Sequence, residues 1–233
     1  MHGGSLIGSG RRKGAFVPPE AVIFDMDGVI ADTADAHCAS WQQLGAARGV
    51  TITREDFLAT FGRPSEEIIR LRFGADLPDE EVRRLAREKE AVYRSLARHT
   101  VRPIPHALEL IRDLHALGVR LAVGSSAPPE NIAQILDLFA LRACFAVTVS
   151  GHDVSRGKPD PEVFVLAAER LGVRPERCVV IEDAVAGIEA ARAAGMTAIA
   201  LTSSHPRAAF RAADRVVDSL AELRGDGLLG LEA

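Results

Sequence analysis

Two aspartates separated by one residue follow a short apolar run near the beginning of the chain. The run is Ala21–Val22–Ile23–Phe24, and it leads directly into Asp25–Met26–Asp27–Gly28. One carboxylate of such a pair can attack a phosphorus atom while the other handles the proton of the leaving group. Turns also collect aspartate and glycine for conformational reasons, so the tetrapeptide alone fits either interpretation.

A serine pair and a lysine lie in two later turns. Gly124–Ser125–Ser126 follows the apolar run Leu121–Ala122–Val123, and a hydroxyl with backbone N–H groups there can hold phosphate oxygens. A serine at such a place can equally cap a helix. Lys158 stands in Gly157–Lys158–Pro159–Asp160–Pro161, where the prolines restrict its backbone. A lysine is a compact charge suited to a phosphoryl group or a carboxylate, although most lysines are simply solvated.

Paired acids end another apolar run, Val179–Val180–Ile181–Glu182–Asp183. Carboxylates at the end of a buried strand are costly unless they meet a cation. Magnesium prefers oxygen ligands and usually takes one or two carboxylates together with substrate phosphate. Asp183 could instead cap the following helix, but that alternative does not explain Glu182. The pair therefore predicts a site for Mg²⁺.

These motifs stand in a chain whose apolar runs alternate with helical patterns. The predicted strands cover residues 21–24, 121–123, 145–149, 179–181, 198–201 and 215–217, and the predicted helices cover 107–114, 161–171 and 184–194. Such alternation predicts an α/β fold, a doubly wound parallel-sheet (Rossmann-like) core whose strands are buried on both faces. Ligands bind outside the carboxyl ends of the strands in such sheets, so the motifs are expected to converge.

The stretch from about Asp32 to His99 has helical periodicity, high charge and no continuous apolar strand pattern. We interpret residues 32–100 as an inserted all-helical cap on a core of residues 19–31 and 101–233. The return segment Arg102–Pro103–Ile104–Pro105 predicts a hinge linker. Residues 1–18 lack the apolar run of a signal peptide and are expected to form a flexible tail.

Composition narrows the function classes. The 233 residues carry a net charge of -4, which does not provide the basic surface of a nucleic-acid binder. No segment approaches the roughly 20 apolar residues that span a bilayer. The cysteines, Cys38, Cys144 and Cys178, show no CxxC spacing, which argues against zinc and a disulfide framework and favours a reducing cytoplasm.

The ordered motifs resemble those of the haloacid dehalogenase-like superfamily over about Ala21 to Thr202, and the helical insertion is placed like the cap of that superfamily. The resemblance implies that Asp25 attacks phosphorus and forms an aspartyl-phosphate. It implies that Asp27 protonates the leaving oxygen and then activates water. Lys158 and Ser125 would supply further positive charge and a hydrogen bond.

The resemblance also assigns the cofactor. Mg²⁺ would be held by the Asp25 carboxylate, the Asp27 backbone carbonyl, Glu182 and Asp183, and would screen the charge of the phosphoryl oxygens. The second aspartate, Asp27, points away from a dehalogenase, because the dehalogenases of the superfamily generally lack it.

Within the superfamily, the segment from Asp27 to His37 looks like the β-phosphoglucomutase group and its sugar-phosphatase relatives. There, the residue matching His37 helps to position the acid/base aspartate, and the residue matching Thr33 lies at the hinge. Lys89 aligns with a mutase lysine, although His37 on an amphipathic helix and Lys89 on a solvated face are the simpler alternatives. The substrate-contacting residues implied are Thr33, His37, Gly62, Arg63, Lys89, Ser126 and Ala127.

Two departures count against a mutase. The mutase cap loop grips a second phosphate with Gly-x-x-Arg, whereas this chain reads Gly62–Arg63–Pro64–Ser65. The mutase group tends to continue with Lys-Asn after the serine motif, whereas this chain has Pro128–Pro129. A mutase must retain and re-deliver a bisphosphate, so the loss of second-phosphate contacts favours hydrolysis.

The sequence therefore predicts a Mg²⁺-dependent phosphatase that hydrolyses a small phosphorylated metabolite, such as a sugar phosphate, through an aspartyl-phosphate. The alternatives are a β-phosphoglucomutase-type phosphosugar mutase and a non-catalytic regulatory module. The last predicts damage to a charged core position, and each such position is intact. A monomer is the expected state, with neither nucleic acid nor membrane as a partner.

Overall fold

The computed structural model describes residues 19–60, 63–224 and 228. The tail predicted for residues 1–18, the substrate-binding candidate Gly62 and most of residues 225–233 of the predicted core lie outside the described residues. Within the described part, no helix is long and apolar enough to cross a bilayer.

The strands follow the continuous apolar runs. In chain order they are β1 (Ala21–Phe24), β2 (Ala31–Asp32), β3 (Arg102–Pro103), β4 (Arg120–Gly124), β5 (Val147–Val149), β6 (Cys178–Glu182), β7 (Thr197–Leu201) and β8 (Arg215–Val217). Six of them form a parallel sheet in the order β5-β4-β1-β6-β7-β8. The predicted α/β fold with a parallel sheet is confirmed.

The helices occupy both faces of the sheet and the segment between β2 and β3. They are α1 (Ala34–Ala46), α2 (Arg54–Leu58), α3 (Ser65–Phe73), α4 (Asp79–Thr100), α5 (Ala107–Ala116), α6 (Pro129–Leu138), α7 (Glu162–Leu171) and α8 (Val185–Ala193). Single 3₁₀ turns lie at Arg142–Cys144, Pro175–Arg177, Arg207–Ala209 and Leu220–Leu223.

Burial on both faces explains why the central strand is apolar without interruption. Along β1, Val22 and Phe24 belong to one hydrophobic cluster, whereas Ala21 and Ile23 belong to the cluster on the opposite face. Successive side chains of a strand point to opposite faces, so a strand covered by helices on both sides needs apolar residues at every position.

The strand order places a reversal beside β1. The chain moves outward on one side through β4 and β5, then continues on the other side through β6, β7 and β8. In open parallel sheets the crevice at such a reversal, at the carboxyl ends of the strands, is where ligands bind. The ends of β1, β4 and β6 therefore meet there.

The helices α1 to α4 form the cap, which has its own hydrophobic cluster. That cluster includes Trp41 and Leu44 of α1, Ile69 of α3 and Leu85 of α4. On α4 the buried positions Val82, Leu85, Lys89, Tyr93 and Ala97 recur every three or four residues, which places them on one face of the helix. The boundaries of the cap at residues 32 and 100 stay a prediction.

The two segments that connect core and cap are paired with each other, and the hinge role of residues 102–105 stays a prediction. β2 and β3 pair as an antiparallel ribbon, in which Ala31 faces Pro103 and Asp32 faces Arg102. The N–H of Ile104 also donates to the carbonyl oxygen of Ile30 at 3.0 Å. Strands of two residues carry no recognisable periodicity, so the sequence could not indicate this pairing.

Candidate active site

Three buried charges meet where β1, β4 and β6 end. Lys158 Nζ donates to Asp25 Oδ1 at 2.6 Å and to Glu182 Oε1 at 2.8 Å, and it also donates to the carbonyl oxygen of Gly124 at 3.2 Å. The Lys158 side chain is 8% exposed, so it is not a solvated lysine. Its Nζ lies 4.8 Å from the centroid of the Phe164 ring, a further contact that suits a cation.

This environment sets the protonation of the cluster. Burial raises the pKa of Asp25 to about 7, with Glu182 and Asp27 acting in the same direction and Lys158 opposing them. Burial alone would lower the pKa of Lys158, but the charges of Asp25 and Glu182 outweigh it and raise that pKa. The ammonium therefore stays charged, while Asp25 needs more positive charge nearby to be fully ionised at neutral pH.

Asp183 faces the same crevice from the end of β6. It is buried, its Oδ2 accepts a short hydrogen bond from Ser204 Oγ, and its backbone oxygen lies 3.1 Å from His205 Nδ1. Burial raises the pKa of Asp183 well above its ordinary value, and the negative charges of Glu182 and Asp25 add to that shift. The side chain does not cap α8, so the alternative interpretation of Asp183 as a helix cap is wrong.

Gly28 lets the first motif approach Asp183 closely. A Cβ at position 28 would lie 2.0 Å from Asp183 Oδ2, and the backbone there has φ +77°. Both the close approach and the positive φ require glycine. The glycine of the Asp-x-Asp-Gly motif therefore serves the contact between the β1 and β6 loops as well as the turn.

The surplus of negative charge fits a bound Mg²⁺. The cluster contains the carboxylates of Asp25, Glu182 and Asp183 beside the ammonium of Lys158. In the described ranges, no set of three or more His, Cys, Asp or Glu side chains is arranged to hold a metal ion. Magnesium needs fewer side chains than that, since one or two carboxylates with a backbone carbonyl, water and phosphate suffice. Asp25, Asp183 and the Asp27 carbonyl fit this requirement.

Glu182 is already engaged by protein donors. Its Oε1 accepts from Lys158, and its Oε2 accepts from the N–H of Ala184 at 2.5 Å. A Cβ at Gly187 would lie 1.8 Å from Oε1, so the first turn of α8 must be open at that position to admit the carboxylate. The place of Glu182 among the metal ligands stays a prediction.

Asp27 lies in a different environment from Asp25, facing the cap. Thr33 Oγ1 donates to Asp27 Oδ1 at 2.6 Å, and His37 Nε2 lies 3.6 Å from the same oxygen. Burial works to raise the pKa of Asp27, but its polar contacts with His37 and Thr33, together with the charge of Lys89, outweigh burial and lower that pKa.

His37 is held between Asp27 and a buried lysine. Lys89 Nζ lies 2.8 Å from His37 Nδ1, and the ring of Tyr93 stacks on His37 with centroids 3.9 Å apart. An ammonium can only donate, so His37 Nδ1 accepts and Nε2 carries the hydrogen that faces Asp27. Burial and the Lys89 charge lower the pKa of His37, which is consistent with a neutral ring. Lys89 is 2% exposed, so the alternative of a solvated Lys89 is wrong.

The serine motif lies at the end of β4, next to Gly124. Ser125 is buried and its Oγ accepts from the N–H of Ala127 at 3.1 Å, whereas Ser126 is exposed. Ser125 does not cap α6, because that helix begins at Pro129 with Pro128 as the preceding residue. Proline suits the first position of a helix, because a backbone N–H at that position would have no acceptor within the helix. The double proline, which replaces the Lys-Asn of the mutase group, therefore also marks the start of α6.

Arg63 is exposed in the turn before α3, where its backbone N–H donates to the Thr60 carbonyl at 3.1 Å. Among the described residues, the hydrogen bonds and ion pairs that join the other candidates do not include Arg63. With Gly62 outside the described residues, the predicted contact of this cap loop with substrate stays a prediction.

Sequence reasoning missed several residues of the site. Ser204 could have been found, because it follows the apolar run of β7 at the same edge of the sheet. Tyr93 lies one turn after Lys89 on α4, a spacing that places the two side chains on the same face. Glu90 carries no such signal, although it is buried and pairs with Lys89 at 2.9 Å.

Comparison with known proteins places this site in a family. The family model of the haloacid dehalogenase-like hydrolases matches residues 19–195. The fructose-1-phosphate phosphatase YqaB of Escherichia coli (strain K12) is 36% identical over 179 residues, 76% of this chain and 94% of that protein. The beta-phosphoglucomutase of Bacillus subtilis (strain 168) is 32% identical, covering 88% of this chain and 91% of that protein.

A solved structure agrees with these relatives. The crystal structure of CbbY from Rhodobacter sphaeroides in complex with phosphate matches with a TM-score of 0.83 and 31% identity, and the match covers 91% of this chain and 100% of that chain. The resemblance drawn from the motifs is thus confirmed, and the chain belongs to the haloacid dehalogenase-like hydrolases.

Proposed function

We propose that this protein is a Mg²⁺-dependent phosphatase that hydrolyses a small phosphorylated carbohydrate through an aspartyl-phosphate on Asp25. The observation that carries the proposal is the separation of two aspartates into two environments. Asp25 is paired with the buried Lys158, whereas Asp27 is hydrogen-bonded by Thr33 and faced by a neutral His37. Nucleophile and acid/base are thereby distinct groups two residues apart.

In the first step, one carboxylate oxygen of Asp25 forms a bond to phosphorus while the bond to the leaving oxygen breaks. Asp27 gives its proton to that oxygen. A phosphate dianion beside Asp27 opposes the lowered pKa of the free carboxyl, because a neighbouring negative charge favours the protonated form. In the second step, Asp27 takes a proton from water, water oxygen bonds to phosphorus, and the Asp25–phosphorus bond breaks.

Positive charge at the phosphoryl group comes from two sources. Lys158 supplies a fixed ammonium, and Ser125 with the N–H groups of its turn supplies hydrogen bonds. Mg²⁺, held by Asp25, Asp183 and the Asp27 carbonyl with Glu182 as a further predicted ligand, would neutralise the phosphoryl oxygens and keep Asp25 ionised.

The substrate class rests on the relatives. One relative acts on fructose 1-phosphate, and another is a mutase that shares the family. A mutase must hold a second phosphate. The proline pair at the start of α6 and the departure of the Arg63 loop from the mutase pattern therefore support a phosphatase over a mutase. Substrate-facing roles for Thr33, His37, Lys89, Ser126 and Ala127 belong to the same proposal. Cytoplasmic location and a monomeric state stay predictions.

The decisive experiment measures phosphate release from a panel of sugar phosphates with Mg²⁺. The panel includes fructose 1-phosphate, and β-glucose 1-phosphate with a bisphosphate primer. Free phosphate supports the phosphatase, glucose 6-phosphate indicates a mutase, and neither product from any ester contradicts enzymatic function. Chelation of Mg²⁺ by EDTA should stop turnover, and added Mg²⁺ should restore it.

A further inference from the structure

A buried polar contact crosses from the cap to the core at a distance from the nucleophile. Glu90 lies on α4 of the cap, and Asn131 lies in the first turn of α6 of the core. Asn131 Nδ2 donates to Glu90 Oε2 at 2.7 Å. Glu90 is 7% exposed and Asn131 is fully buried. A polar contact this well enclosed needs each partner, because an unpaired group in its place would lose its hydration without compensation.

The second oxygen of Glu90 turns back into the cap. Glu90 Oε1 accepts from Lys89 Nζ at 2.9 Å and from Ser65 Oγ at 3.1 Å. Lys89 also lies 5.2 Å from the centroid of Trp41. A buried ammonium is destabilised unless a counter-charge accompanies it. Glu90 is the carboxylate that holds Lys89 in this position.

These contacts link Asn131 to Asp27 through three hydrogen bonds and one longer polar contact, that of His37 with Asp27. Asn131 donates to Glu90, and Lys89 donates both to Glu90 and to His37 Nδ1 at 2.8 Å. His37 then presents its Nε2 hydrogen to Asp27 Oδ1 at 3.6 Å. The orientation of His37 depends on Lys89, and that of Lys89 depends on Glu90.

The far end of this series of contacts has a fixed orientation as well. Arg94 Nη1 donates to Asn131 Oδ1 at 3.1 Å, and Gln134 Nε2 donates to the Arg94 backbone oxygen at 2.8 Å. Because the Asn131 oxygen faces a guanidinium, its NH₂ must face Glu90. The amide therefore cannot turn over without placing donors against donors.

We propose that Glu90 and Asn131 are positioning residues, which aim Asp27 at the leaving oxygen through Lys89 and His37 only while the cap lies against α6. The inference rests on the proposed function, in which Asp27 is the proton donor. It links the closure of the cap to the proton-transfer geometry, since the contact that joins α4 to α6 is part of the series of polar contacts that reaches Asp27.

A proton donor can be tested through the leaving group. The alkoxide of fructose 1-phosphate needs a proton to depart, whereas the phenolate of p-nitrophenyl phosphate is stable without one. The value of kcat/KM reports the steps up to formation of the phosphoenzyme, so the comparison isolates leaving-group departure. Loss of a residue that positions the proton donor lowers kcat/KM for the sugar ester far more than for the aryl ester. Loss of a residue that only stabilises the fold lowers both values alike.

The variants are Glu90→Gln and Asn131→Asp, which preserve side-chain size. The glutamine of the first variant must place an NH₂ against Lys89 or Asn131, and the aspartate of the second places a carboxylate against Glu90. The matched control is Glu130→Gln, an exposed neighbour on α6. In each variant we expect kcat/KM for fructose 1-phosphate to fall about tenfold or more, with p-nitrophenyl phosphate within about threefold of the wild type. The control leaves both values unchanged.

Equal loss on both esters, or no loss on either, would overturn the positioning role. Turnover of p-nitrophenyl phosphate shows in the same experiment that the variants are folded. In the Asp27→Asn background, Glu90→Gln should cause no further loss, because it acts through Asp27; an additional loss would also overturn the proposal. A wild-type protein that hydrolyses neither ester would instead contradict the proposed function itself.

Discussion

Asp25 and Asp27 are separated by one residue, yet the regions around them are built in opposite ways. Around Asp25, at the edge of the sheet, carboxylates outnumber the ammonium of Lys158, and burial raises the pKa of Asp25 to about 7. Around Asp27, facing the cap, burial is outweighed by His37, Thr33 and Lys89, and the pKa is lowered. The core side has fewer positive than negative charges, whereas the cap side supplies hydrogen-bond donors and the charge of Lys89.

The difference indicates which partner each region is built to receive. The sheet edge gains from a divalent cation, because its positive charge compensates the buried carboxylates and allows a phosphoryl group to approach them. The cap side needs no metal cation, because Asp27 already has a hydrogen bond from Thr33, a polar contact with His37 and the charge of Lys89 nearby. Electrostatic surroundings, rather than residue type, separate the proposed nucleophile from the proposed acid/base.

The largest effect is expected at the nucleophile. Asp25→Asn keeps the size of the side chain but removes the attacking charge, so kcat should fall on the order of 10⁴-fold or more with both sugar and aryl esters. The matched control is Asp76→Asn, an exposed carboxylate of the cap, which should leave kcat unchanged. Appreciable turnover by Asp25→Asn would remove the covalent mechanism.

The second effect distinguishes the two aspartates. Asp27→Asn should lower kcat/KM for fructose 1-phosphate by about 10²–10⁴-fold, because general acid catalysis contributes that much. The loss with p-nitrophenyl phosphate should be much smaller. If Asp25→Asn and Asp27→Asn showed the same pattern on the two esters, the proposed division of roles would be wrong.

A smaller effect is expected from the hydroxyl that holds Asp27. Thr33→Val removes the donor at 2.6 Å and keeps the shape, so kcat/KM for fructose 1-phosphate should fall roughly tenfold, since a hydrogen bond to a charged group contributes about 1.5–3 kcal/mol. Thr202→Val is the control, because Thr202 Oγ1 donates at 2.8 Å to Asp218, an exposed carboxylate outside the cluster. Equal losses in both variants would contradict a specific role of Thr33.

On the sheet edge, Gly28→Ala should disturb metal binding. The new Cβ would lie 2.0 Å from Asp183 Oδ2 and would displace that carboxylate. The Mg²⁺ concentration for half-maximal activity should rise about tenfold, as when groups that orient a metal ligand are lost. Gly172→Ala is the control. The φ of +66° at Gly172 gives similar backbone strain, but a Cβ added there would meet no other group within 4 Å. An unchanged Mg²⁺ requirement in Gly28→Ala would exclude Asp183 from the metal site.

The smallest effect concerns stability on the cap side. Among the described residues, the buried hydroxyl of Tyr93 has no hydrogen-bond partner. Tyr93→Phe should raise the free energy of unfolding by about 1 kcal/mol, measured by urea denaturation, because it removes an unsatisfied group and keeps the ring stacked on His37. Tyr93→Leu, which also removes the stacked ring, should lower it. A loss of stability in Tyr93→Phe would show that the hydroxyl has a partner.

Much of the fold could be predicted, because strands buried on both faces are apolar without interruption. The runs at residues 21–24 and 179–181 coincide with β1 and β6 to within a residue. The β2–β3 ribbon could not be predicted, since two residues have no period. α6 was not predicted because two prolines precede its apolar residues, although proline is favoured at the first helical position.

The site divides in the same way. Residues at strand ends could be identified because the sheet rule brings them to one edge, and Lys158 indeed contacts Asp25 and Glu182. Glu90 and Asn131 could not be identified, since each is an ordinary helical residue on its own and they are 41 positions apart. A contact between two helices depends on their packing, which neither local pattern contains.

The ribbon of β2 and β3 has a consequence for any movement of the cap. Two unpaired linker segments would allow the cap to slide and twist relative to the core. Because β2 and β3 are hydrogen-bonded to each other, we expect them to bend together as one unit. Thr33 follows β2 directly and holds Asp27 at 2.6 Å. The ribbon therefore runs beside the proposed proton donor, so we expect bending of the ribbon to move Thr33 and with it the carboxylate of Asp27.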